Sequence, residues 1–228
     1  MTALKTAIEQ SRAVWEQWNE LGVDNRVVLL EKWADILGNR GAPYSDAAEM
    51  VRFQCNQATH LIAETEWMPG PTGETNELYC AGRGTFLVAG NGETALAGQL
   101  AAALVAGNTV VLCAEGEVGT ALVADLAKAG CPDRVVQQYA NPSDEELAHV
   151  PGIDGVAFCG DAQQVHKMDV ALSLREGALV QVVAETDTQN LPEIGSPVYL
   201  LRFVTECTRT INITAVGGNA TLLELGSG

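Results

Sequence analysis

Two kinds of residue in this 228-residue chain could do chemistry: glycines spaced for a phosphate-binding turn, and cysteines. Gly90-Asn91-Gly92-Glu93-Thr94-Ala95 fits GxGxxA and falls between an apolar run and a helical one. In that position glycines permit a tight turn, and a pyrophosphate can approach the free N–H groups of the following helix. Glu115 ends the next apolar run, where dinucleotide folds place a carboxylate for the ribose. Glu93 opposes this reading, because a carboxylate in the first helical turn repels phosphate. Gly90, Gly92 and Glu115 are therefore the cofactor candidates. NAD is the cofactor to consider, and the absence of any cofactor is the expectation. The six cysteines (Cys55, Cys80, Cys113, Cys131, Cys159, Cys207) form no CxxC pair and have no histidine pattern beside them. Reduced thiols are expected, with neither a metal site nor a disulfide framework.

The elements that must position these residues show in the hydrophobic rhythm. From Thr2 to Leu37 the spacing predicts two amphipathic helices, carrying Ala13, Trp15 and Trp18, then Val27, Leu30, Trp33, Ile36 and Leu37, with a break at Leu21-Gly22-Val23-Asp24. A third helix is expected from Ser45 to about Glu66, stopped by the turn formers from Met68 to Gly73. Beyond Gly73 strands and helices alternate. Strands are expected over 85–89, 109–113, 135–139, 155–159 and 178–184, with helices between them. Continuous apolar strands alternating with helices indicate a parallel sheet covered on both faces. The end of the chain breaks that rhythm: 199–206, 208–216 and 220–225 are rich in Thr, Val and Ile and follow one another without helices, with Gly217-Gly218-Asn219 as a turn. They predict antiparallel strands, which need something to pack on.

Composition narrows the function classes. Lys plus Arg is 13 and Asp plus Glu is 29, a formal charge of -16. Such a surface repels phosphate backbones and anionic membranes, so neither nucleic acid nor membrane is an expected partner. The first residues lack a signal-peptide apolar core, so a cytoplasmic setting is expected.

Several segments resemble, in order, the aldehyde dehydrogenase superfamily. Met68-Pro69-Gly70-Pro71-Thr72-Gly73-Glu74-Thr75-Asn76 is similar to an entry segment of the pyrroline-5-carboxylate dehydrogenases, which oxidise glutamate semialdehyde. Gln99 to Val110, Val156-Ala157-Phe158-Cys159-Gly160 and Ala184-Glu185-Thr186-Asp187-Thr188-Gln189-Asn190 resemble further segments of that family. Thr210 to Leu223 resembles the end of the multifunctional proline utilization A proteins.

The resemblance implies a Rossmann-like parallel sheet with helices on both faces, N-terminal helices and a C-terminal antiparallel β-flap. The implied division is a helical segment over 1–75, a Rossmann-like domain over 76–195 and a flap over 196–228. Glu185 matches the family's general base. Full-length enzymes carry the nucleophilic cysteine between the segments that match Asn190 and the tail; here the tail follows within about twenty residues, and the resemblance implies that the catalytic part is missing. Where the family has a ribose-binding lysine this chain has Cys113-Ala114-Glu115, and the family's phosphate contact has become Gly160-Asp161-Ala162, so the resemblance adds Gly160 to the cofactor candidates.

The expected function is a non-catalytic domain that docks through its flap on an aldehyde dehydrogenase or proline utilization A module, or on a second copy. There it would support proline catabolism as a tunnel lid or by stabilising an oligomer. Tyr199, Phe203, Ile211, Ile213, Val216 and Leu222 are the expected interface. The alternative is an NAD-dependent oxidoreductase acting on glutamate semialdehyde with residues contributed in trans.

Overall fold

The computed structural model describes residues 3–213. Its N-terminal part is α1 (Ala3–Arg12), α2 (Trp15–Glu20), α3 (Val23–Gly38) and α4 (Tyr44–Leu61). Three helices therefore stand where two were expected before residue 38. Leu4 and Ile8 of α1 join the core on one face of the main sheet, whereas Trp18, Leu30 and Trp33 join the core on the other. A single straight helix cannot serve both faces, so the chain breaks after α1 as well as after α2.

The main sheet contains β3 (Thr85–Gly90), β4 (Thr109–Cys113), β5 (Val136–Tyr139), β6 (Gly155–Cys159) and β7 (Gln181–Glu185), all parallel, in the order β5-β4-β3-β6-β7. The intervening helices are α5 (Glu93–Val105), α6 (Gly116–Ala129), α7 (Asp144–His149) and α8 (Ala162–Ser173). Side chains alternate across the pleat. Phe86, Val88, Val110, Leu112 and Ala157 face the larger core with α3 to α6, while Leu87, Ala89, Val111 and Val156 face the smaller core with α1, α7 and α8. Ala95 to Val105 of α5 are all buried, because this helix lies between the sheet and α4. That explains an apolar run long enough to suggest a membrane span. Among the described residues no helix is long and apolar enough to cross one.

A second, antiparallel sheet has the order β1-β2-β8, from β1 (Glu66–Met68), β2 (Glu74–Gly82) and β8 (Val204–Asn212). The sequence did not announce β2, since most of its residues are only partly buried and no two-residue hydrophobic rhythm develops. The antiparallel sheet expected at the C-terminal end is present: β8 pairs with β2, more than a hundred residues earlier, from Gly82↔Val204 to Glu74↔Asn212. Its bounds are corrected, because Tyr199–Phe203 is a 3-10 helix and β8 runs unbroken from Val204 to Asn212. The strands expected over 214–225, with Val216 and Leu222, lie outside the described residues.

Asn108 anchors the entry to this ribbon. Its Oδ1 accepts from the main-chain N–H of Arg83 (2.7 Å) and Gly84 (3.0 Å), and its Nδ2 donates to the carbonyls of Ala103 (3.0 Å) and Phe203 (2.9 Å). One buried amide thus joins the end of α5, the β2–β3 link and the start of β8. A hydrogen-bonded side chain of this kind fixes where a strand begins, because an unpaired buried amide is costly.

Candidate functional site

The strand order places a crossover between β3 and β6, and the cofactor candidates gather at the carboxyl ends of those strands, the usual ligand position in open parallel sheets. Gly90 ends β3 with φ 130°, and Gly92 caps α5 with φ 89°. The N–H of Asn91 donates to the carbonyl of Cys159 (3.3 Å), and a Cβ on Gly90 would run into that same carbonyl. Gly160 N–H donates in turn to the Glu185 carbonyl (3.0 Å). Gly90, Gly160 and Glu185 are therefore neighbours along one edge. Glu115, the N-cap residue of α6, sits exposed past the end of β4 on the same edge.

Glu185 is 1% exposed and its carboxylate is fully engaged. One oxygen accepts from the N–H of Asp187 (2.9 Å), and the other from the N–H groups of Glu193 (2.7 Å) and Ile194 (3.2 Å). Asp187 continues the pattern, accepting from Gln189 N–H (3.1 Å), Asn190 N–H (3.0 Å) and Asn190 Nδ2 (2.8 Å). Those bonds hold the Asp187 carboxyl below the usual range, the side-chain bond from Asn190 contributing most. The Glu185–Ile194 segment is thus folded around two carboxylates. A general base must reach a water or substrate proton, and Glu185 is turned into the loop.

Burial disfavours the thiolate at four of the cysteines. Burial pushes Cys55, Cys113 and Cys131 up to about 12. Cys159, opposite Glu185 in the register of β6 and β7, is pushed up to about 11 by burial and then by the charge of Glu185. These groups pack as small core residues. Among the described residues no three His, Cys, Asp or Glu side chains are placed to hold a metal ion.

A groove of about 550 Å³ runs between α7 and α8, lined by Ala148, Val170, Ala171 and Leu174 with His149, His166 and Lys167 at its rim. Both flanking helix N-termini are closed by the chain itself. Asp161 accepts from Gln164 N–H (2.8 Å) while Gln164 Oε1 accepts from Asp161 N–H (3.0 Å), and Ser143 with Glu146 forms the same reciprocal box on α7. A carboxylate thus stands where a phosphate would be held. Together with Glu93 in the first turn of α5, these residues do not suit the pyrophosphate of NAD.

The interface candidates separate. Ile211 and Ile213 are exposed, 44% and 50%. Tyr199 and Phe203 are buried in the chain's own core, so the interface expectation is corrected for these two. The Phe203 ring centre lies 5.0 Å from that of Phe86 in a tilted pair and 5.2 Å from that of Tyr199 edge to face, and aromatic rings of that size gain more from internal packing than a strand edge offers. Sequence reasoning missed Trp67, a 70% exposed side chain on β1. It also missed the buried Gln99, whose side-chain amide lies 3.2 Å from the N–H of Cys159 and 3.3 Å from that of Phe158, placed to accept from both with its oxygen turned toward them and so to support the same edge. A lone Gln inside the apolar run of α5 was the available signal.

No family model matches the chain. In sequence it is 31% identical over 204 residues to the bifunctional protein PutA of Rhizobium meliloti, which covers 87% of this chain and 15% of that protein. In fold it matches a crystal structure of Bradyrhizobium japonicum proline utilization A with a TM-score of 0.72 and 30% identity, over 79% of this chain and 21% of that one. An NADP-dependent glyceraldehyde-3-phosphate dehydrogenase from Bacillus halodurans shares the fold alone, with a TM-score of 0.67 and 23% identity over 79% of this chain and 44% of that one. The chain spans between 11% and 15% of the length of the R. meliloti and Escherichia coli PutA proteins. With its five-stranded parallel sheet, separate antiparallel ribbon and PutA-like sequence, the chain is an aldehyde-dehydrogenase-like domain related to the proline utilization A proteins.

Proposed function

We propose that this is a non-catalytic aldehyde-dehydrogenase-like domain that docks through its antiparallel ribbon on a dehydrogenase module of the proline utilization A type. In proline catabolism it would cover a substrate tunnel or stabilise an oligomer, with 196–228 as the docking segment working beside 74–82. The observation that carries the non-catalytic reading is the engagement of Glu185 by three main-chain N–H groups. A carboxylate so held is a loop organiser, and aldehyde oxidation also needs a thiolate that the buried cysteines do not supply.

Docking is supported by the ribbon. Among the described residues β8 ends the sheet, and its residues from Thr205 to Ile211 are exposed apart from a half-buried Cys207; Ile211 on β8 and Trp67 on β1 are exposed. A three-stranded sheet this exposed gains by covering a face or adding a strand. The test is co-sedimentation of the full chain with a purified proline utilization A dehydrogenase, alongside NADH production from glutamate semialdehyde by the chain alone. A complex and no turnover support the reading; turnover abolished by Glu185→Gln would replace it with the trans-acting oxidoreductase.

A further inference from the structure

We infer that the recess at the carboxyl ends of α7 and α8 binds a small monocarboxylate with an apolar body, anchored by Arg175. The inference is independent of the docking reading above and concerns a different part of the molecule.

α7 leads into β6 and α8 into β7, so both helices end at the amino edge of the parallel sheet. The cofactor candidates Gly90, Gly160 and Glu115 stand at the carboxyl edge, as do the Ser143 and Asp161 caps that open the two helices. At the amino edge a recess of about 520 Å³ is lined by His149, Val150 and Pro151 from the end of α7 and by Leu174, Arg175 and Glu176 from the end of α8. That volume lies in the range of small-molecule pockets, roughly 300–1,000 Å³.

Arg175 is the unsettled group on this lining. Its Nε and Nη1 are closed to solvent and have no hydrogen-bond partner. Among the described residues no ion pair reaches it. Asp154 is near enough for its charge to act on Arg175, but its Oδ2 accepts from Arg12 Nη1 (2.8 Å) and from the N–H of Thr85 (2.8 Å). Burial pushes the guanidinium below its usual value, and the charge of Asp154 only opposes that. The carbonyl ends of the two helices favour a cation in this corner, yet none of them bonds to the Arg175 side chain. A guanidinium partly withdrawn from water and left without an acceptor is costly, and a carboxylate matches its fork with two parallel bonds.

The remaining walls select the ligand. Val150, Pro151 and Leu174 are apolar, and Leu174 is 69% exposed, a surface that a hydrocarbon body would cover. His149 carries a ring N–H donor in any protonation state. Glu176 is exposed and is the one carboxylate on the lining. Its charge, with the net -16 of the chain, opposes a doubly charged anion more strongly than a singly charged one. One negative charge on an apolar body meets every wall.

The test titrates the full chain with sodium butyrate, its neutral isostere butyramide and inorganic phosphate. Binding is read by shifts of the main-chain amide resonances of His149, Val150, Leu174, Arg175 and Glu176. Butyrate is expected to saturate with a Kd of about 1–10 mM, and butyramide and phosphate to bind at least roughly tenfold more weakly. Arg175→Leu removes the stranded charge and keeps an apolar stem. Its melting temperature should equal or exceed that of wild type, and its butyrate binding should fall at least roughly tenfold. Failure of butyrate to saturate below about 100 mM overturns the inference. So does butyramide or phosphate binding as tight as butyrate, or an Arg175→Leu variant that binds like wild type. A lower melting temperature for that variant would show that Arg175 already has a structural partner, and overturns it as well.

Discussion

The carboxylate of Glu185 accepts the main-chain N–H of Glu193, eight positions further along the chain, at 2.7 Å and closes the intervening loop onto the end of β7. With Asp187 and Ile194 as further donors, this one side chain holds the segment that follows the parallel sheet. The same segment reaches the N-terminal helices, because Gln54 of α4 donates to the Ile194 carbonyl at 2.7 Å.

Glu185→Gln is expected to destabilise the fold by about 1–3 kcal/mol, since the new amide turns N–H donors towards main-chain donors. Urea denaturation of the two proteins measures it. An unchanged midpoint would show that the carboxylate is not structural.

Acid should loosen the joint between α6 and the α3–α4 link. Asp125 is buried, and that burial works against its charge, but bonds from Arg40 and Lys128 outweigh it and leave the carboxyl below its usual range. A carboxyl lowered by folding stabilises above its unfolded value and loses that stabilisation as pH falls through the folded one. Melting temperature should therefore drop below about pH 4, and Asp125→Asn should flatten that drop. At neutral pH the same variant should cost about 2 kcal/mol, short of a fully enclosed pair because Arg40 reaches solvent.

Thiol labelling at pH 8 should reach half-buried Cys207 on the exposed ribbon first. Cys55 and Cys113, buried and held protonated to about 12, should react only when the chain unfolds, and half-buried Cys131, also held up to about 12, should lag behind Cys207. Peptide mapping after brief alkylation checks the order; fast labelling of Cys159 would reopen the question of a nucleophile.

Much of the fold was legible because the parallel sheet is buried on both faces. Thr85 to Ala89, Thr109 to Cys113 and Gly155 to Cys159 read as continuous apolar runs, and each is a strand. The ribbon was half legible. The Thr-, Val- and Ile-rich stretches over 199–206 and 208–216 showed β character, but the partner of β8, β2, lies far away and is marked by no periodicity, and long-range pairing leaves little local trace. Tyr199 and Phe203 fell in a stretch read as strand from its Thr, Val and Ile content, yet both are buried in the core, Phe203 against Phe86, and form a 3-10 turn. At the candidate site the GxGxxA segment does lie between a strand and a helix, but glycine spacing could not show that Asn91 is tied to Cys159 or that Ser143 and Asp161 cap α7 and α8.

The central claim is that the ribbon docks and the domain does not catalyse. Sedimentation velocity of the chain mixed with a proline utilization A dehydrogenase tests it most directly, using wild type and Ile211→Asp. Ile211 is exposed on β8 and outside both cores, so folding should survive the change. The account predicts a mixed complex for wild type and at least a tenfold weaker one for the variant, a loss of about 1.4 kcal/mol or more. Sedimentation of the wild-type chain and the dehydrogenase as separate species, or an Ile211→Asp complex as tight as wild type, would contradict it.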